Sequence, residues 1–146
     1  MRGVNFMSRY INSLLFCMLS LLAPLALADS AGAPVTQQCS ANDINYDQAV
    51  TLVAKLQLAI KNNDKQVIAK MLGYPVRINQ GTKHYVINNE KNFMKKYPII
   101  FTDKVKHKII NADSADIFCN DQGAMIADGA VWFNGNPLKI FSLNLI

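Results

Sequence analysis

Residue types that could do chemistry are few in this chain and widely spread. It has two histidines, His84 and His107. A catalytic histidine needs a carboxylate or a nucleophile within reach. His84 stands beside Lys83 with no acid nearby, and His107 lies among Lys104, Lys106 and Lys108. Both read as surface histidines. Asp116, Asp121 and Asp128 fall in different turns without calcium-loop spacing, and no CxxC or HxxxH pair offers a metal site. The sequence therefore names no catalytic residue, no metal ligand and no cofactor. It offers recognition chemistry instead. Arg77 stands between Val76 and Ile78. If those two face a core, Arg77 faces away, towards solvent or a partner. If the strand bends, its planar fork sits at a pocket mouth, suited to clamping an anion. Trp132 and Phe133 are neighbours, so in a regular strand one of them points outward, where an aromatic can anchor a partner. Arg77, Tyr85, Tyr97 and Trp132 are the candidate ligand- or partner-binding residues. The plainer alternatives are core packing for the aromatics, Tyr74 and Phe133 included, and a solvated or ion-paired arginine.

The KVKHK run at 104–108 is the densest positive stretch. On a helix, Lys104 and Lys108 share a face. That face would meet acidic lipid, wall polymer or an acidic partner, or simply water. No aromatics are interleaved for base stacking, which argues against nucleic acid as a partner.

Those residues must be carried by a domain, and the chain opens with something else. Arg2 and Arg9 precede an almost continuously apolar stretch from Ile11 to Leu27, and Ala26-Leu27-Ala28 has the small residues of a cleavage site. Residues 1–28 are expected to be a signal peptide, with Met7 as a second candidate start; a membrane anchor is the alternative, but the apolar run is short for a full span of ~20 residues and ends in the cleavage motif. Cys17 lacks a preceding lipobox. Cleavage implies a secreted or periplasmic chain without stable membrane insertion. Residues 1–28 hold two basic residues and no acid, so the net charge falls from +5 to +3 on their removal. That balance lacks the basic stripe of a nucleic-acid binder. Residues 29–46 read as a tether, and residues 47–146 as one domain of ordinary size. Cys39 and Cys119 remain, and in an oxidising compartment they most simply form one disulfide; two buried thiols, or a metal site that no ligand spacing supports, are the rival readings.

Within the domain, DQAVTLVAKLQLAIKN at 47–62 has the apolar spacing of a largely covered helix. Asn63 is expected to cap a second helix with Gln66 completing a capping box, Gly73 to end it in the left-handed conformation, and Pro75 to forbid continuation. A hairpin follows over 76–87, turning at Gln80-Gly81. Asn88 or Asn89 then caps a third helix that Pro98 breaks, and Thr102 caps a fourth over 103–111. Residues 116–146 alternate apolar runs with the turn signals NDQG, DG and NGNP, the pattern of a four-strand antiparallel meander. The expected class is α+β, with N-terminal helices packed on the concave face of a curved antiparallel sheet in a cone-like arrangement.

This order of elements resembles the nuclear-transport-factor-2-like, or cystatin-like, superfamily. YPVRIN at 74–79, FMKKYPIIFT at 93–102 and GAVWF at 129–133 are similar to segments of small secreted bacterial domains of that kind. The resemblance spans Asp47 to Leu145 and implies a long helix wrapped by a bent sheet around a conical pocket. The superfamily holds isomerases, dehydratases and non-catalytic modules, so fold does not fix function. Its isomerases use a tyrosine with buried acids, a set not placed on residues here. Three readings follow. The first is a secreted, non-catalytic binding module for a small molecule or protein partner in the envelope, for example an inhibitor or immunity-type protein. The second is a small isomerase or hydrolase-like enzyme using the pocket. The third is an assembly factor acting as a homodimer through its sheet.

Overall fold

The computed structural model describes Cys39 and residues 43–145. The expected signal peptide and most of the expected tether lie outside the described residues. Within residues 43–145, four α-helices and six strands follow in the order α1 (Tyr46–Lys61), α2 (Lys65–Met71), β1 (Leu72–Gln80), β2 (Lys83–Ile87), α3 (Glu90–Ile100), α4 (Asp103–Ile110), β3 (Phe118–Asn120), β4 (Gly123–Ile126), β5 (Val131–Asn134) and β6 (Lys139–Leu145). The class is α+β, and the strands form one curved sheet in the order β2-β1-β6-β5-β4-β3. Among the described residues, no helix is long and apolar enough to cross a membrane.

The helices start where side-chain oxygens can take up free amides. Asn45, Asp64, Asn89 and Thr102 accept from the backbone N–H groups of Gln48, Val67, Asn92 and Val105. The α2 cap is thus Asp64, not Asn63, which takes a positive φ of 53° in the tight link from α1. Gly73 also departs from expectation. The residue after α2, Leu72, is already extended, and Gly73 lies within β1 instead of in a left-handed cap. Its lack of a side chain serves packing, because a Cβ there would meet the Cβ of Lys139 at 3.0 Å. Pro75 falls where the β1–β6 register shifts between Leu72 and Arg77, so its missing N–H disrupts no regular ladder. Pro98 does not break α3, which runs on to Ile100. The proline sits in the last turn, and Ile100 and Phe101 beyond it are buried. Packing there outweighs one lost backbone bond.

The sheet is two antiparallel blocks joined along a parallel seam. The hairpin of β1 and β2 and the meander of β3 to β6 form as expected, and β1 pairs parallel with β6 to unite them. One pairing of the otherwise antiparallel sheet is therefore parallel. Turn chemistry sets the meander. Asp128 and Gly129 have φ of 47° and 79°, and the N–H of Ala130 donates to the carbonyl of Ala127 at 3.0 Å. Positive φ at both central positions is what a type I′ turn requires.

The helices cover one face of the sheet. Leu56 of α1, Ile68 of α2, Phe93 of α3 and Ile109 of α4 are fully buried with Ile78, Ile126, Phe133, Ile140 and Leu143 from the strands. Gln57 of α1 links the helical layer polarly, donating through Nε2 to the carbonyls of Ile109 (3.0 Å) and Ala112 (2.8 Å) at the end of α4. A disulfide joins Cys39 to Cys119 in edge strand β3, with Cα atoms 5.0 Å apart. It ties Cys39 to the β3 edge of the sheet, where Cys119 is buried.

Candidate binding face

Strand alternation places one set of side chains in the core and the other on the uncovered face. Val76 and Ile78 are fully buried, and Arg77 between them is exposed. Phe133 is fully buried, and Trp132 beside it is half-buried on the opposite face. The register then shows what neither strand shows alone. Val86 pairs with Arg77, Arg77 with Ser142, Ser142 with Trp132, Trp132 with Met125, and Met125 with Phe118. One row of side chains therefore crosses all six strands on the open face, about 24 Å from end to end at ordinary strand spacing. Its ends are apolar and exposed, Val86 at 52% and Phe118 at 43%. Its middle is Arg77, Ser142 and Trp132.

A polar ladder fixes the ground beside this row. Arg77 donates through Nε to Asn79 Oδ1 at 3.0 Å. Asn79 donates through Nδ2 to Ser142 Oγ at 3.2 Å and to Asn144 Oδ1 at 2.7 Å. Asn144 donates through Nδ2 to the carbonyl of Gly129 at 2.6 Å, closing the ladder on the β4–β5 turn. Ser142, only 6% exposed, is thus buried with its hydroxyl satisfied. Gly129 adjoins the row, and its φ of 79°, not crowding, calls for glycine: a Cβ there would make only ordinary contact with Met125 Sδ at 3.4 Å and Trp132 Nε1 at 3.5 Å. The ladder holds the Arg77 guanidinium through Nε, and among the described residues its terminal NH2 groups make no hydrogen bond. Among the described residues no carboxylate pairs with Arg77.

None of the six strands contains an aspartate or glutamate. Arg77 and His84, which pairs across the hairpin with Asn79, share the open face. The chemistry is that of a largely apolar strip with a guanidinium set in it, suited to apolar contacts around a carboxylate.

The other two expected site residues do not join this face. Tyr85 pairs with core-facing Ile78 and is half-buried on the helix side. Tyr97 is 2% exposed, stacked on Phe101 with ring centroids 5.0 Å apart and edge-on to Phe93 at 5.8 Å. Lys65 lies over its ring at 5.1 Å. Burial raises both phenols above the ordinary tyrosine range. Tyr74 is pushed up to about 12, by burial first and the nearby Glu90 charge second, and its buried hydroxyl has no hydrogen-bond partner among the described residues.

The histidines and the lysine run are accounted for separately. Among the described residues, neither His84 nor His107 forms an ion pair with a carboxylate. Within KVKHK, Lys106 approaches Asp103 at 3.7 Å and Lys108 approaches Asp128 at 3.3 Å. Two of its three lysines thus have acids of their own. Exposed pairs of this kind stabilise by only ~0–1 kcal/mol. No three of His, Cys, Asp and Glu gather closely enough to hold a metal among the described residues.

Local alternation says that Arg77 faces away from Val76 and Ile78 and that one of Trp132 and Phe133 points outward; the structure shows Trp132 to be that one. The alignment of Arg77 and Trp132 through Ser142 was not readable locally, because it depends on the seam between strands more than 60 residues apart in sequence. The Asn79–Ser142–Asn144 ladder carried no local signal for the same reason. No protein-family model matches the chain, and neither a curated protein nor a solved structure matches it.

Proposed function

We propose that the chain is a secreted, non-catalytic binding module that docks a protein partner of the envelope on the open face of its sheet. The observation that carries this reading is the six-strand row with Arg77 and Trp132 at its middle, on strands free of acidic residues. The partner presents an apolar surface with a carboxylate, which Arg77 receives through its free NH2 groups while Trp132 and Met125 supply the apolar contact. An inhibitor or immunity-type role fits such a module. The signal-like start and the Cys39–Cys119 disulfide support an oxidising, extracytoplasmic location.

Site-specific photocrosslinking in the native envelope tests this. A photoreactive residue at Val86 or Met125 is expected to capture one protein, and the same residue at exposed Lys61 on α1 is not. Arg77→Glu should abolish the capture and Arg77→Lys should weaken it. Capture from Lys61 alone, or capture that Arg77→Glu leaves intact, would overturn the proposal. Capture of a second copy of this chain would replace it with the homodimer reading.

A further inference from the structure

A second, separate feature lies at the rim of the helical layer. A cleft of about 410 Å³ opens between α1, the end of α2 and the β5–β6 turn. This is within the size range of small-molecule sites, which combine apolar walls with a few placed polar groups. Leu52, Met71 and Leu138 form its apolar part, and Lys55, Lys70 and Lys139 surround it. Asp47, in the exposed first turn of α1, is the one acid in its lining.

Lys139 is held in place more firmly than a surface lysine ordinarily is. Its Nζ donates to the carbonyl of Lys70 at 2.6 Å, one of the terminal carbonyls that α2 cannot satisfy itself. Its stem rests against Gly73, where a Cβ would come within 3.0 Å of the Lys139 Cβ. An ammonium has three donors, and the Lys70 carbonyl uses one. The remaining two are fixed beside an apolar floor, so less side-chain entropy is lost when they meet a ligand. Among the described residues, no carboxylate pairs with Lys55, Lys70 or Lys139.

We infer that this cleft binds a small amphiphilic anion, a carboxylate or phosphate head on a short aliphatic chain. The head meets Lys139 and Lys55, and the chain lies along Leu52, Met71 and Leu138. The site is independent of the open sheet face.

The test uses the oxidised chain and three probes below their micelle concentrations: decanoate, decyl phosphate and decanol. Binding is read by nuclear magnetic resonance at the methyl groups of Leu52, Met71 and Leu138, with the Trp132 indole as reporter of the other face. Both anions are expected to shift the three methyl signals and leave the indole unchanged, with decanol at least tenfold weaker. The tighter anion identifies the head. Lys139→Gln should weaken anion binding about tenfold while leaving decanol unaffected. Lys55→Glu, on the exposed surface of α1, gives the same comparison should Lys139→Gln disturb the fold. Equal affinity for decanol and decanoate would overturn recognition of the charge. Shifts confined to Trp132, or no shift at millimolar probe, would overturn the site. Neither result touches the proposed docking of a protein on the sheet.

Discussion

The two faces of one sheet are made by the same strands, and adjacent residues serve opposite ends. On the covered face, Val76, Ile78, Phe133 and Leu143 are almost wholly buried under the helices. On the open face, one position along, stand Arg77, Trp132, Ser142 and Asn144, joined across strands by a hydrogen-bonded ladder and an apolar row. Stability belongs mainly to the first face, because removing apolar area from water is the dominant folding term. The second face keeps large apolar side chains partly wet, which adds little stability and leaves area to be buried by a partner. Neighbouring residues in one strand should therefore answer mutation in different currencies, one in folding and the other in binding.

The sharpest contrast is Phe133→Ala against Trp132→Ala. Truncating the fully buried phenylalanine should cost about 3–5 kcal/mol in chemical denaturation, through lost transfer energy and the cavity left behind. Truncating half-buried Trp132 should cost about 1 kcal/mol while abolishing photocrosslinking from Val86. Equal costs would erase the distinction between the faces. Reducing the Cys39–Cys119 disulfide comes next. It closes a span of 80 residues, so denaturation of the reduced chain should show a loss of up to ~4 kcal/mol on the chain-entropy model. Asn144→Ala should cost about 1–2 kcal/mol, because it strands the Gly129 carbonyl and removes an acceptor from Asn79. Arg77→Ala should change stability by less than ~0.5 kcal/mol, as an exposed residue without an ion pair, and should reduce partner capture strongly.

A pH titration probes the covered side. Burial and Glu90 raise the Tyr74 phenol from an ordinary 10.0 to about 12 in the folded chain. As pH rises, the unfolded chain loses this proton first, so the contribution to stability is complete below pH 10.0 and lost towards about 12. Ultraviolet difference spectra should show one phenolate forming last, and Tyr74→Phe should remove that step.

Local signals in the sequence reached as far as local physics does. The apolar spacing of α1, the Thr102 cap, the Asp128-Gly129 turn and the direction of Arg77 opposite Val76 and Ile78 each depend on a few adjacent residues and are legible there, whereas the α3 cap narrows only to Asn88 or Asn89. Pro98 and Gly73 misled because their usual meaning was overruled by distant partners, buried Ile100 and Phe101 in one case and the stem of Lys139 in the other. Tyr97 was a plausible surface anchor from its type alone, but α3 turns it against Phe93 and Phe101. The parallel seam between β1 and β6 had no local signature, and both the aromatic row and the polar ladder depend on it.

Trp132 is the sole tryptophan of the chain, so its emission reports directly on the open face. The decisive measurement is iodide quenching of that emission with and without the protein captured by photocrosslinking, provided the captured protein is prepared free of tryptophan. The free chain should be quenched readily, with Arg77→Glu lowering quenching by iodide and leaving quenching by neutral acrylamide unchanged. Adding the partner should protect the indole from both quenchers. An indole that stays equally accessible in the complex would contradict docking on this face.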